Sequence, residues 1–364
     1  MKAQRVLIYR LGSLGDTLVA LPCFHAIADA FPGAERVVLT NFPVDPRAPT
    51  LSSVLDHTRL VHGYIEYPVR LRGLSQLRNL RRKILEFRPD VVVYLTPFRG
   101  RAQVWRDAMF FKLCGNPRII GVPYSNDVSI HRWIVGEGRF EREAARLART
   151  IASAIPVDLN SRASWSLNLT VQEREIARRM IGDWARGGSF LTISVGTKVA
   201  FKDWGKRNWE ELVELLSAPL ISLPVVFLGA ESERDYTAAI ASHFAGQSLN
   251  LCGQLNPREA AAVLERSLLF VGHDSGPMHL ASAVGTETVA IFSGHNLPGV
   301  WFPWGEGHVV FYPEGSCDDY PQCQCNSQSG RCIRSISPRA VEDAIRRKLG
   351  ERVPGAPAIA SEYS

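Results

Sequence analysis

Short apolar-rich runs alternate along this chain with longer segments of helical period. In the first half, Val6-Leu-Ile-Tyr9, Arg36–Leu39, Val91–Leu95 and Arg118–Gly121 read as strands. Between them, Thr17–Phe31, Leu74–Phe87 and Gln103–Leu113 read as helices, the first stopped by Pro32-Gly33 and the second by Pro89. The second half repeats the alternation. Its strands are expected at Leu191–Val195, Val225–Leu228, Leu268–Val271 and Thr288–Phe292. Its helices are expected at Thr170–Arg186, Trp209–Ser217, Glu233–Phe244, Arg258–Ser267, Met278–Val284 and Pro338–Leu349. Thr170-x-x-Glu173 has the form of a capping box, and Asn256-Pro257 opens the helix that follows it. Runs apolar at successive positions belong to strands covered on both faces, so strand–helix alternation predicts parallel sheets. The pattern loosens over Ala152–Asn168, which places an interdomain connection there. The expected organisation is two Rossmann-like α/β domains, 1–165 and 166–350, facing a central cleft, with a disordered tail over 351–364.

Composition changes this picture little. A chain of 364 residues is long for one core, which agrees with two domains. With 46% hydrophobic and 21% charged residues it is ordinary for a soluble globular protein. The formal net charge of +6 favours anionic partners such as nucleotides, phosphorylated glycans or an acidic membrane surface. Nucleic acid ranks last because no recognised module is present. The N-terminus reaches a strand within five residues, so no signal peptide is expected. No window approaches the ~18 consecutive apolar residues of a membrane span. A cytoplasmic or peripheral protein with reduced cysteines is therefore expected.

The candidate chemistry lies in strand-to-helix loops, where helix N-termini point at ligands. Gly12-Ser-Leu-Gly-Asp16 follows the first strand. Its glycines allow close backbone approach, and Asp16 reads either as a helix cap or as a base. The loop is neither a Walker loop nor a GxGxxG fingerprint. In Gly272-His-Asp-Ser-Gly-Pro-Met-His279, the turn through Asp274, Ser275 and Gly276 suits a phosphate. His279 there reads as an anion contact or a structural histidine. Ser194-Val-Gly-Thr-Lys198, with Lys202 soon after, supplies hydroxyl and ammonium groups for a diphosphate. Glu231 or Glu233, just past the strand Val225–Leu228, suits ribose hydroxyls or simply a helix N-terminus.

Two further features carry less. Cys317, Cys323, Cys325 and Cys332 are spaced unlike paired zinc ligands, so they read as loop cysteines with no metal. Arg70, Arg72, Arg78, Arg81, Arg82 and Lys83 make Leu71–Phe87 a basic amphipathic segment, either a solvated face or a membrane-surface helix.

Together the loops resemble glycosyltransferase family 9, the lipopolysaccharide heptosyltransferases. That family opens with a strand and Arg-Leu-Ser/Gly-Ser-Leu-Gly-Asp, matched by Arg10–Asp16. Its Asp-Ser/Thr-Gly-x-x-His before Leu-Ala/Ser-Ala-x-Gly-Thr is matched by Asp274–Thr286, then Val289-Ala-Ile-Phe292. Order and spacing hold from about residue 4 to about 348. The resemblance implies a GT-B fold and metal-independent, inverting transfer of heptose from an ADP-sugar onto a lipopolysaccharide core or related glycan. It implies Asp16 as general base, and Thr197 and Lys202 as donor-phosphate contacts. Asp274, Ser275, Gly276 and His279 would form the donor loop, with Glu233 beside it. Gly15, Arg99 and Arg101 are the candidate acceptor contacts, and a lipid-linked acceptor would give the basic helix a membrane to sit on. No cofactor is implied. Two departures stand out. Gly12 occupies a position where the family commonly has Ser. The segment Lys198-Val-Ala-Phe-Lys-Asp-Trp-Gly-Lys206 replaces the usual Lys-Arg-Trp-Pro, which leaves Lys202 and Lys206 both open as the phosphate ligand. The alternatives are a nucleotide-sugar epimerase or hydrolase on the same fold, and a non-catalytic nucleotide-binding protein.

Overall fold

The apolar runs become the central strands of two parallel sheets. The computed structural model describes residues 3–42, 50–68, 73–182, 189–313 and 331–350. The first sheet contains β1 (Arg5–Tyr9), β2 (Glu35–Asn41), β3 (Gly63–Tyr67), β4 (Val91–Tyr94) and β5 (Arg118–Ile120), in the order β3-β2-β1-β4-β5. A small antiparallel hairpin pairs β6 (Trp133–Ile134) with β7 (Arg139–Phe140). The second sheet contains β8 (Leu191–Ser194), β9 (Val225–Phe227), β10 (Ser248–Asn250), β11 (Leu269–His273), β12 (Thr288–Ile291) and β13 (Val309–Phe311). Its order is β10-β9-β8-β11-β12-β13. This is the doubly wound Rossmann order, in which the chain runs outward from one central strand and then returns to its other side.

That reversal fixes where ligands go. It falls between β1 and β4 in one sheet, where Tyr9 pairs with Tyr94, and between β8 and β11 in the other, where Ser194 pairs with Gly272. At such a switch point the loops leave in opposite directions and open a crevice beyond the carboxyl ends. The four strands are buried along nearly their whole length, in cores that include Leu7, Val92 and Phe111 in one case and Ile193, Trp209 and Val271 in the other.

The chain divides into two compact units, Met1–Val171 with Gly299–Trp301, and Gln172–Pro298 with Phe302–Ser364. The segment expected to connect domains is tied to the first unit. The Ser166 carbonyl lies 2.8 Å from His25 Nε2, and Asn168 Nδ2 donates to the Thr58 carbonyl at 2.9 Å. The helix expected over Thr17–Phe31 is two helices, Leu14–Leu18 and Leu21–Ala30. Pro22 lacks an N–H and its ring crowds the carbonyl four residues earlier, so a continuous helix cannot pass it. The helix expected over Thr170–Arg186 is described over Val171–Ile181, and there the Glu173 carboxylate takes the Arg258 guanidinium through two nitrogens at 2.5 and 3.0 Å. The Asn256 expectation holds: its side chain accepts from the N–H groups of Arg258 and Glu259, and Glu259 accepts from the Asn256 N–H. Strands β3 and β10 and the hairpin had no apolar run long enough to announce them, and β13 was not expected although Val309-Val-Phe-Tyr312 is apolar throughout. Cys317, Cys323, Cys325, Arg70, Arg72, the Cys332 side chain and the 351–364 tail lie outside the described residues.

Candidate active site

In the first unit, the loop leaving β1 is built around Arg10, which is fully buried. Arg10 Nη1 donates to the Leu95 carbonyl at 2.6 Å, and Nη2 donates to the Asp16 carbonyl. One guanidinium therefore joins the carboxyl ends of β1 and β4 to the first helical turn. Its Nη2 is also 3.7 Å from Asp16 Oδ1. The other carboxylate oxygen, Oδ2, accepts from the Ser13 N–H and the Ser13 hydroxyl, each at 2.7 Å. Asp16 is thus oriented by three groups from two residues, Arg10 and Ser13, with part of its carboxylate facing solvent. Gly12 makes this possible. Its φ is +145°, and a Cβ there would stand 2.4 Å from Asp16 Cβ. Gly12, at the position read above as commonly Ser, is the residue this loop requires. Gly15 is the second residue of the helix that carries Asp16.

Arg10 carries its charge in a place that desolvation disfavours, and its pKa is lowered for that reason first. Compensation comes first from the Asp16 carboxylate and then from Glu143, which is buried and gives both carboxylate oxygens to Arg146 at 2.7 Å. His131 Nε2 lies 2.8 Å from the same carboxylate. Arg99 and Arg101 occupy the loop and helix after β4. Arg99 is drawn inward, where Nη2 donates to the Tyr9 hydroxyl at 2.9 Å and to Asp107 Oδ2 at 3.0 Å. Arg101 is exposed and donates to Asn126 Oδ1 at 2.7 Å.

In the second unit the expected donor residues fall into two groups at the carboxyl ends of β8, β9 and β11. One centres on Asp274. Lys202 Nζ donates to Asp274 Oδ2 at 2.6 Å, Asn296 Nδ2 donates to the same oxygen at 2.8 Å, and His279 Nε2 stands 3.8 Å from Oδ1. Ser275 is the N-cap of the helix Gly276–Val284, and its buried hydroxyl has no partner among the described residues. The backbone N–H groups of this first turn leave an anion-binding end, with Pro277 contributing no donor. Lys206 is elsewhere: it pairs with Glu210 at 2.9 Å along its own helix and is half exposed. Of the two lysines, only Lys202 reaches the end of β11.

The other group surrounds Gly196. Glu233 accepts from the Ala230 N–H at 2.8 Å, and a Cβ on Gly196 would stand 2.0 Å from Glu233 Cδ. The carboxylate therefore lies flat against the loop after β8. Glu231 instead pairs with Arg234 at 2.7 Å on the exposed side. Thr197 turns its hydroxyl onto its own loop, accepting from the Val199 N–H at 3.3 Å.

His273 links the two groups, a role the sequence did not reveal. It is fully buried at the end of β11; Nε2 accepts from the Trp204 N–H at 3.1 Å, and Nδ1 faces the Gly196 carbonyl at 3.4 Å. The ring thereby fixes the loop after β8 and the segment carrying Lys202. The one available signal was a titratable residue ending an apolar strand. Asn296 left no comparable signal, nor did the bond from Arg10 to Leu95, because Asp274 and Leu95 are distant from them in sequence. Burial pushes the His273 pKa down from 6.5 to about 4. The unfolded chain then binds more protons than the folded one between these values, so stability must fall as pH drops through that window. Denaturant unfolding of the second unit should weaken progressively from pH 6.5 to about 4, and His273→Gln should flatten that slope. An unchanged slope in the variant would assign the window to another group.

The comparisons with known proteins agree with this architecture. Residues 103–328 match the family model described as glycosyltransferase family 9 (heptosyltransferase). The chain is 25% identical to lipopolysaccharide heptosyltransferase 3 of Escherichia coli over 172 residues, covering 46% of this chain and 48% of that protein. It is 23% identical to lipopolysaccharide heptosyltransferase 1 of Pseudomonas aeruginosa over 332 residues, covering 88% and 86%. The match thus spans about half of the first relative and most of the second. The crystal structure of the family 9 glycosyl transferase from Veillonella parvula superimposes with a TM-score of 0.72 at 17% identity, over 96% of this chain and 99% of that one. E. coli ADP-heptose lps heptosyltransferase II gives 0.64 at 16% identity, over 96% and 99%. These structures share the GT-B fold expected from the two Rossmann-like sheets. With 226 of its 364 residues inside the family model, the chain belongs to glycosyltransferase family 9, the heptosyltransferase family.

Proposed function

We propose that this protein is an inverting, metal-independent glycosyltransferase that moves heptose from ADP-heptose onto a lipopolysaccharide core or related glycan. The observation that carries the reading is the placement of the Lys202–Asp274–His279 group at the switch point of the second sheet, with an oriented carboxylate at the switch point of the first. An acceptor hydroxyl gives its proton to Asp16 while its oxygen forms a bond to the anomeric carbon. The bond from that carbon to the diphosphate oxygen breaks in the same step, which inverts the configuration. The departing ADP gains negative charge. Lys202, the N-terminus of the helix Gly276–Val284, Ser275 and His279 neutralise it, and Asp274 holds Lys202 in place. Glu233, at the end of the second strand of its sheet, takes the ribose hydroxyls. Thr197 closes the loop beneath the phosphates. Gly15, Arg99 and Arg101 lie on the acceptor side, where the arginines suit phosphate groups of a core saccharide. The acceptor is lipid-linked, so the protein works peripherally at the cytoplasmic face of the inner membrane. Among the described residues, no helix is long and apolar enough to cross a membrane.

The test is thermal stabilisation by ADP, UDP, GDP and an ADP-heptose analogue. A ligand that binds only the folded state adds about 2.7 kcal/mol at a hundred times its Kd. Stabilisation selective for the adenine nucleotides is expected. Lys202→Ala should lose most of the shift and Lys206→Ala should keep it. A shift selective for UDP or GDP would discard heptose as the sugar. No shift with any nucleotide would remove the donor site. Free sugar released without acceptor would favour the hydrolase reading.

A further inference from the structure

A surface of the first unit is not used by any part of this chemistry. The helix Arg101–Leu113 is buried along one side by Val104, Ala108 and Phe111, yet its opposite side is also apolar. Trp105 is 57% exposed, Met109 62% and Leu113 65%. Their four-residue spacing lines them along one face. Tyr124, itself half exposed, extends the stripe by packing on Trp105 at 4.9 Å between ring centroids. An exposed apolar row of this length marks a surface that meets something less polar than water.

What surrounds the row identifies its occupant. At the Leu113 end, Arg81 Nε donates to the Leu113 carbonyl at 3.2 Å, so the basic helix Leu74–Phe87 lies alongside. Beside it, a pocket of about 560 Å³ is lined by Arg5, Arg78, Arg81, Arg82 and Arg88, with Glu86 the single acidic group. Arg106 and Lys112 flank the row on its own helix and are exposed. Aromatic and aliphatic side chains rimmed by arginine suit the boundary between headgroups and acyl chains. There the rings and methyls enter the hydrocarbon edge while the guanidiniums meet lipid phosphates.

We propose that the helices Leu74–Phe87 and Arg101–Leu113 form a membrane-docking surface for anionic phospholipid. The Trp105–Met109–Leu113 row inserts at the interface, and the arginine pocket seats phosphate headgroups. The proposal deepens the functional reading and rests on its lipid-linked acceptor. The row begins one helical turn from Arg101, at the end of the sheet where the Asp16 loop also lies. From there the row runs back to Leu113 and to the pocket at the amino ends of β1 and β4, so docking by this surface lays the two helices along the bilayer.

The experiment is co-sedimentation of the full chain with vesicles of phosphatidylcholine containing phosphatidylglycerol, against phosphatidylcholine alone, at low and high salt. Binding to the anionic vesicles is expected, weakened by salt because the charged part of the contact is screened. Combined Trp105→Ser, Met109→Ser and Leu113→Ser should lower partitioning about tenfold or more. Arg78→Gln with Arg82→Gln should remove most of the salt dependence. Both variants should keep the wild-type unfolding midpoint and the ADP-induced shift. Equal binding to neutral vesicles, or undiminished binding by the triple variant, would overturn the proposal. So would a dimer in sedimentation that the triple variant dissociates, which would make the row an interface between copies. Vesicle binding is read without donor or acceptor. Its loss with the ADP shift intact counts against the docking surface alone, and binding with no nucleotide shift counts against the transferase reading alone.

Discussion

Asp16→Asn should lower the rate of sugar transfer by about 10² to 10⁴-fold, the range by which a positioned acid or base accelerates proton transfer, while leaving ADP-induced stabilisation unchanged. The substitution suits the question because it alters little else. Asparagine has the same shape, and its carbonyl oxygen can still accept from the Ser13 N–H and hydroxyl that hold Asp16 Oδ2. The Asp16 main-chain carbonyl, which Arg10 grips, is untouched. What disappears is a basic oxygen able to take the acceptor proton. Steady-state transfer measured beside the nucleotide shift separates the two roles. Turnover within tenfold of wild type would remove Asp16 as the base and leave it a helix cap.

Glu143→Ala should destabilise the first unit by about 3–5 kcal/mol, the usual cost of leaving a buried charge without its partner. Glu143 is 2% exposed and is gripped through both oxygens by Arg146, itself buried. Its charge also offsets that of Arg10. Removing it strands the Arg146 guanidinium in the interior and leaves Asp16 as the remaining carboxylate offsetting Arg10, which ties β1, β4 and Asp16 together. Urea unfolding monitored on the first unit measures the loss, and a change below about 1 kcal/mol, the typical value for an exposed pair, would mean that the network is not buried in solution. The same group sets an acid limit. Burial opposes ionisation of Glu143, but hydrogen bonds from Arg146 and His131 outweigh it and bring the pKa down from 4.5 to about 2. Its contribution is therefore complete above pH 4.5 and lost as pH falls towards 2. His273 acts in the second unit at higher pH, so the two units should lose stability in successive windows on acidification.

The sequence was legible wherever one local property decided the outcome. Val6–Tyr9 and Val91–Leu95 are apolar at successive positions because β1 and β4 are covered on both faces, and the sequence shows that directly. The basic helix begins and ends where its period and Pro89 place it, over Leu74–Phe87. The Asn256 cap was readable because its partners lie within three residues. Short edge strands such as β10 were not, since three residues paired on one side leave no pattern. Nor was the break at Val19-Ala20, where Pro22 outweighed a continuous helical period.

For the candidate site the division is sharper. Residue types in order along the chain determined that a carboxylate loop follows the first strand and that Asp274–His279 opens a helix in the second half. Only the tertiary structure chose among equals. Lys202 rather than Lys206 reaches Asp274, and Glu233 rather than Glu231 lies against Gly196, because loops after different strands converge at a switch point. Arg10, His273 and Asn296 acquire their roles from Leu95, Trp204 and Asp274, partners from 22 to 85 positions away. Periodicity and capping act over a few residues and are written in the local sequence. The pairing of buried charges and the fixing of one loop by another depend on how sheets bring distant segments together, and no local pattern encodes that.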